Sequence, residues 1–235
     1  DMDAYIGMGH TAENLAKKYS ISRERQEQMA LESHLKASKA IGKGEFKDEI
    51  IPVNDISEDG CVRPDTTLES MAQLKPAFDK EGVVTAGTSS PLTDGAAAVI
   101  VCSKDYAKSN KLKMLAYIRG MAISGCSPEI MGIGPVLSSQ KALKRAGLKL
   151  EDIDIIEMNE AFAAQSLACV DELEIDMSKL NLHGGALAMG HPLGASGARI
   201  TGKAASLLQN NGAKYALSTM CVGGGQGCAT VLERA

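Results

Sequence analysis

The chain has no tryptophan, and only three phenylalanines and five tyrosines among 235 residues. With aromatics at 3%, its core must be filled by aliphatic side chains, alanine and methionine, and 24 glycines point to close backbone packing. The six cysteines (Cys61, Cys102, Cys126, Cys169, Cys221 and Cys228) include no C-x-x-C pair, which argues against a zinc site. Their scatter in a chain of this size argues against a disulfide framework, so reduced, intracellular thiols are the expectation. Long apolar runs are missing as well. The longest, residues 96–102, is too short to cross a bilayer. Positive charge is not in excess: 25 Lys and Arg against 29 Asp and Glu leave a net −4, which argues against a general nucleic-acid surface. No secretory leader is expected, because Asp1 opens onto helix-like pattern. What remains, 44% hydrophobic and 23% charged, is an ordinary globular chain of one large domain or two small ones.

Two textures follow each other along the chain. From Thr11 to about Asp79 it is charged and helical. Thr11-Ala12-Glu13-Asn14 opens one helix, and Ser22 caps a second that runs past Met29, Leu31, Leu35 and Ala37 to Gly42. Residues 49–53 read as a short strand limited by Pro52, and Thr66 or Thr67 as the cap of a small helix over Leu68, Met71 and Leu74. From Val83 onward strand and helix alternate. A buried-type strand is predicted at 96–102, a helix at 103–110 and a strand at 114–124. A helix at 135–146, a strand at 153–158 and helices at 161–173 and 195–210 follow, and two strands at 215–221 and 227–233 close the chain. That alternation predicts a layered α/β domain. The small residues of 195–210 predict a helix sandwiched between layers.

Three clusters stand at junctions after strands, where open α/β sheets keep their sites. The first is Asn159-Glu160-Ala161-Phe162. Asn159 either caps the helix that follows or uses its amide to hold a water or a carbonyl oxygen. The second runs from Gly184 to Arg199 and fixes His191 between Gly190 and Pro192. Glycine there admits a bulky ligand, and a neutral imidazole takes or gives a proton near pH 7. A phosphate cradle is the competing reading of these glycines, although the spacing is neither G-x-G-x-x-G nor a P-loop. His10, His34 and His183 have no such setting, and His34 reads as a helix-surface residue. The third is Cys221-Val222-Gly223-Gly224-Gly225-Gln226-Gly227, which can present a sulfur beside bare N–H groups able to stabilise an oxyanion. Taken alone, a buried cysteine beside a hairpin turn is the plainer reading of it, and the other five cysteines keep that reading.

In this order the three segments, N-E-A-F-A, G-G-A-x-A-x-G-H-P-x-G-A-S-G-A-R and C-x-G-G-G-x-G, strongly resemble the thiolase family. The likeness extends upstream through Gly9-His10-Thr11-Ala12-Glu13-Asn14, Arg63-Pro64, Leu74-Lys75-Pro76-Ala77-Phe78, Thr85-Ala86-Gly87-Thr88-Ser89-Ser90 and Asp94-Gly95-Ala96, so it covers essentially the whole chain. It implies an α/β thiolase fold of α-β-α-β-α layers, here the loop domain plus the C-terminal domain. Residues 1–92 would be the helical, charged loop domain. Residues 93–113 would be the closing strand and helix of the N-terminal domain, and 114–235 the C-terminal domain.

The resemblance also implies an acyltransferase that cleaves 3-oxoacyl-CoA with CoA to acyl-CoA and acetyl-CoA, as in fatty-acid β-oxidation. His191 would deprotonate a nucleophilic cysteine. Cys221 would protonate the departing acetyl-CoA carbanion and deprotonate the incoming CoA thiol. Asn159 would hold a water that, with His191, stabilises the thioester enolate. The N–H of Gly223 would join a second oxyanion hole, and Ser90 would contact the CoA pantetheine. Coenzyme A and its thioesters enter as substrates, with no covalently bound cofactor and no metal. A homodimer or homotetramer is implied, with no nucleic-acid partner and no membrane span, in the cytoplasm, or in mitochondria or peroxisomes of a eukaryote.

In the family the nucleophilic cysteine lies in a C-x-S-G-like motif ahead of the G-x-T-A-E-N segment. No cysteine here has that setting, and Cys126-Ser127-Pro128, the nearest, does not match. The chain is therefore expected to be the carboxy-terminal portion of a thiolase, without the covalent step on its own. Gly7 stands where acetoacetyl-specific members tend to carry histidine. Together with residues 88–92 and 229–234, it favours a degradative 3-ketoacyl-CoA thiolase over an acetoacetyl-CoA thiolase running in the synthetic direction. A non-catalytic CoA-binding fragment is the third reading.

Overall fold

A computed structural model describes residues 5–235. Helices come first. Helix α1 (Met8–Lys18) buries Ala12, Leu15 and Ala16 along one face. Two polar side chains on its outer turns act as fasteners. The Glu13 carboxylate accepts the N–H groups of Val83 and Val84 at 3.0 and 2.9 Å, and the Asn14 amide donates to the Glu129 carbonyl at 2.9 Å. Helix α2 (Arg23–Gly42) starts at the expected cap, with Ser22 Oγ accepting the Arg25 N–H. The short α3 (Leu68–Ala72) is closed by a reciprocal pair between Thr67 and Ser70. Helix α4 (Lys104–Ser109) follows, capped by Ser103.

The remainder is built on one four-stranded sheet. Its strands are β1 (Ala116–Gly125), β2 (Ile155–Met158), β3 (Tyr215–Val222) and β4 (Gln226–Arg234), in the order β1-β4-β3-β2. Strand β4 runs antiparallel to both β1 and β3, whereas β2 and β3 are parallel. Side chains alternate across the sheet. Ile156, Met158, Leu217, Ala229 and Val231 pack on one face against α5 (Gly134–Ala146) and α6 (Ala163–Leu173). Ile155, Ala216 and Leu232 pack on the other against Ala204, Leu207 and Leu208 of α8 (Leu193–Asn210). The result is an α-β-α sandwich. A parallel pair needs a crossover, and here it passes through α6, the single turn α7 (Ala186–Met189) and α8. Helices α1 and α2 lie against α6 and α7, so the first texture of the sequence covers the elements that carry the second.

Four expectations need correction. Residues 96–102 form no strand, and Val99, Ile100 and Val101 are 44%, 88% and 69% exposed. Apolar, β-branched composition suits a strand, but a strand also needs a ladder, and no described strand lies beside this segment. Residues 49–53 shrink to one bridge between Val53 and Ile56, because Pro52 lacks an N–H and Ile51 and Val53 lie in solvent. His34 is buried, not on the surface: its Nδ1 accepts the Arg63 N–H at 3.1 Å. Helix α8 starts two residues early, and beyond its sheet side it is covered in part by Phe46, Glu49 and Val99. Its opposite side, with Gly197, Ala198, Thr201 and Gly202, is half-buried.

Candidate active site

Parallel β2 and β3 bring their carboxyl ends to one edge of the sheet. The Asn159 N–H donates to the Thr219 carbonyl at 3.0 Å and carries the ladder one residue past β2. Asn159 and Cys221 therefore stand at the same edge. Asn159 does not cap α6; Phe162 occupies that position with extended backbone and no side-chain bond. Freed from capping, the Asn159 amide nitrogen lies 3.3 Å from His191 Nε2. Its Oδ1 is buried without a partner. An unpaired buried acceptor is costly in a finished core, and at this edge it suits a water or a ligand donor.

His191 is delivered by a turn that only glycine permits. Gly190 has φ +90°, and a Cβ there would run into the Thr93 side chain. The imidazole is half-buried between two partners, Asn159 at Nε2 and Ser196 Oγ at 2.6 Å from Nδ1. Burial, and after it the positive charge of Arg199, hold its pKa below the ordinary histidine value. The ring is thus neutral at pH 7, the form that accepts a proton.

Cys221 is 5% exposed and packs with Met131 and Ala161. Burial pushes its thiol up to about 12, so it is protonated at rest. Among the described residues its sulfur forms no hydrogen bond with His191 or Asn159. The following turn closes tightly. Gly225 has φ +91°, its carbonyl accepts the Cys126 N–H at 2.7 Å, and a Cβ would strike the Cys126 carbonyl. Gly223 is exposed, with its N–H free of any side chain of its own to cover it. Ser90 joins this edge through its backbone, donating to the Ala161 carbonyl at 3.0 Å while Ser89 bridges Phe162.

Several residues that sequence reasoning left without a role hold the edge in place. The Glu160 carboxylate, 3% exposed, accepts from Ser33 Oγ at 2.7 Å, the Asn181 amide at 2.6 Å and the Leu187 N–H at 3.2 Å. Asn181 in turn bonds both backbone groups of Met158 at 2.9 Å. One buried carboxylate thus ties α2, the end of β2 and the segment leading to His191. Its only sequence signal is a charged residue inside an otherwise apolar motif. Ser196 lies five residues after His191 in the first turn of α8, where a serine reads as a helix-start residue.

A neutral imidazole, an amide with a spare acceptor, a protonated thiol and a glycine turn, set at one sheet edge, are parts for proton transfer next to a developing oxyanion. Among the described residues no group of three or more His, Cys, Asp or Glu side chains could hold a metal ion. No described helix is long and apolar enough to cross a membrane.

The family description "Thiolase, N-terminal domain" matches residues 1–105, and "Thiolase, C-terminal domain" matches residues 112–234. The chain belongs to the thiolase family. Curated relatives include the 3-ketoacyl-CoA thiolases of Vibrio parahaemolyticus and Marinobacter nauticus, each 52% identical to this thiolase chain over 97% of its length. Each of those alignments covers 61% of the relative, so the chain spans about three fifths of the curated relatives it matches. Among solved structures, human mitochondrial 3-ketoacyl-CoA thiolase in complex with CoA superposes with a TM-score of 0.95 at 48% identity, over 97% of this chain and 59% of that one. An acetyl-CoA acetyltransferase of Bacillus anthracis superposes with a TM-score of 0.93 at 44% identity, over 98% and 60%. The thiolase fold expected from the motifs is therefore present, its sheet and both helical faces included.

Proposed function

We propose that this thiolase chain carries the proton-transfer half of a site that cleaves 3-oxoacyl-CoA with CoA to acyl-CoA and acetyl-CoA. The observation that carries the reading is the pairing of a neutral His191 with Asn159 at the sheet edge that also bears Cys221. Relatives named 3-ketoacyl-CoA thiolase, and the CoA complex of the human mitochondrial one, support the reaction class and the substrate. Residues 1–92 act as the loop domain, 93–113 complete the N-terminal domain and 114–235 form the C-terminal domain. CoA thioesters are the small-molecule partners, with Ser90 against the pantetheine, and the working protein is a homodimer or homotetramer.

His191 Nε2 takes the proton of a nucleophilic cysteine thiol that lies outside this chain. The thiolate adds to the 3-oxo carbon, the C2–C3 bond breaks, and its electrons pass into the thioester as an enolate. A water on Asn159, together with the imidazolium, stabilises that enolate oxygen. Cys221 gives its proton to C2 and releases acetyl-CoA. An elevated thiol pKa serves both of its duties: it keeps the proton at rest, and the thiolate left behind is more basic than the incoming CoA thiol, whose proton it takes. The CoA thiolate then attacks the acyl carbon, assisted by the Gly223 N–H. The bond from that carbon to the nucleophilic cysteine breaks, acyl-CoA leaves, and the cysteine thiolate takes back its proton from the His191 imidazolium. One such N–H is worth roughly 3 kcal/mol to an oxyanion.

The test is thiolysis of 3-oxoacyl-CoA by His191→Ala and Cys221→Ala in a thiolase that holds these residues together with its nucleophilic cysteine. Loss of activity with the fold retained is expected from each. Activity kept within a few-fold in either removes the role assigned to it. The 235-residue chain alone is expected to form no acyl-enzyme.

A further inference from the structure

We propose that Ser196 is a positioning residue that fixes the Nδ1–H tautomer of His191 and so leaves Nε2 as the free base. The inference rests on the role given to His191 above. Ser196 is 0% exposed in the first turn of α8, and its hydroxyl has two neighbours: His191 Nδ1 at 2.6 Å and the Pro192 carbonyl at 3.1 Å. A hydroxyl has one proton to give. The carbonyl can only accept, whereas an imidazole nitrogen either gives or accepts. If the hydroxyl proton goes to Pro192, the oxygen's lone pair faces Nδ1, which must then carry the hydrogen. Every group then has one consistent polarity: Nδ1–H donates to Ser196 Oγ, and Ser196 O–H donates to the Pro192 carbonyl. The far nitrogen follows from this. Nε2 has an unprotonated lone pair directed at the Asn159 amide nitrogen at 3.3 Å, a donor. The opposite arrangement, with Ser196 donating to Nδ1, would put a proton on Nε2 and leave the ring unable to act as a base on that side.

The two arrangements make opposite predictions for Ser196→Ala. An oxygen that accepts from Nδ1–H stabilises the imidazolium more than the neutral ring, since the bond is charge-assisted in the cation. Removing it lowers the His191 pKa further. An oxygen that donates to a bare Nδ1 stabilises the neutral ring alone, and removing it raises the pKa. The charged group that already faces the ring is Arg199, which pushes the same way in both variants and does not blur the sign.

The experiment is nitrogen NMR of the chain with isotope-labelled histidine. The sequence holds four histidines, and His191→Gln identifies the signal of interest. The Nδ1–H tautomer is expected in the unaltered chain, with a lower His191 pKa in Ser196→Ala. In the thiolysis assay Ser196→Ala is expected to lower kcat about tenfold to a hundredfold with KM little changed, the size of one charge-assisted hydrogen bond. Ser196→Thr, which keeps the hydroxyl, restores most of it. An Nε2–H tautomer, or a pKa that rises in Ser196→Ala, overturns the proposal, and the tautomer is read on the unaltered chain, so that outcome holds even if Ser196→Ala fails to fold. These outcomes are separable from failure of the functional reading. If His191→Ala retains thiolysis, the role of His191 falls, whereas an Nε2–H tautomer beside an inactive His191→Ala removes the positioning role of Ser196 and the choice of Nε2 as the base, and leaves the need for His191 standing.

Discussion

Glu157 stands on the α8 side of β2, 1% exposed, with Oε1 unpaired and with the charges of Arg199 and Lys203 acting on it. Lys203 is itself engaged with Glu49 at 3.1 Å, and so gives Glu157 only part of its charge. Burial dominates and pushes the carboxyl from 4.5 to about 8. The linked stability has a definite sign. The folded chain binds the Glu157 proton more tightly than the unfolded chain, so this contribution is fully present below pH 4.5 and is lost as pH rises through about 8. At about 1.4 kcal/mol per pH unit the whole window is worth ~5 kcal/mol. Glu157→Gln keeps the shape and removes the titration. Urea unfolding of both chains from pH 5 to pH 9 is the assay. The parent is expected to lose several kcal/mol relative to Glu157→Gln across that range, most of it by pH 8. Parallel pH profiles for the two chains would refute the reasoning, for they would mean that Glu157 is already ionised against Arg199 in the folded state.

Two further outcomes follow from the site. The acid limb of the kcat/KM profile should lie below the ordinary histidine value of 6.5, because the base must be neutral and burial keeps it so; Arg199→Gln should move the limb upward by removing the second cause. Gly190→Ala forces a side chain into φ +90° and against Thr93, costing about 1–3 kcal/mol of strain and at least tenfold in thiolysis through displaced His191, as kinetics and thermal unfolding would register.

Much of the second half of the chain was legible in its sequence, for physical reasons. Residues 215–221 and 227–233 are two short, largely apolar stretches joined by glycines, which leaves a hairpin as the simplest fold, and β3 and β4 pair in that way. Ser22 and Thr67 announced their helices because an unpaired N–H at a helix start needs an oxygen nearby in sequence. What depended on distant partners was not legible. His34 looks exposed on its own helix, but the Arg63 N–H that buries it lies 29 residues away. Residues 96–102 have the composition of a strand, and composition says nothing about whether a ladder is there to receive one. At the candidate site, His191 and Cys221 were singled out by their glycine settings. Asn159 was ambiguous until the backbone at Phe162 showed the helix starting without it. Glu160 and Ser196 escaped notice because a supporting hydrogen bond leaves no periodic trace in a sequence.

The claim beneath all of this is that the imidazole side and the thiol of one sheet edge act on the same thioester. Exchange of the acetyl-CoA methyl protons with deuterated water measures it most directly, since it reports proton removal at C2 and needs no acyl acceptor. In a thiolase bearing these residues, exchange should vanish in Cys221→Ala, which removes the base, and fall at least a hundredfold in Asn159→Ala, which removes enolate stabilisation. Exchange that persists undiminished in Cys221→Ala would place the proton transfer elsewhere and contradict the account.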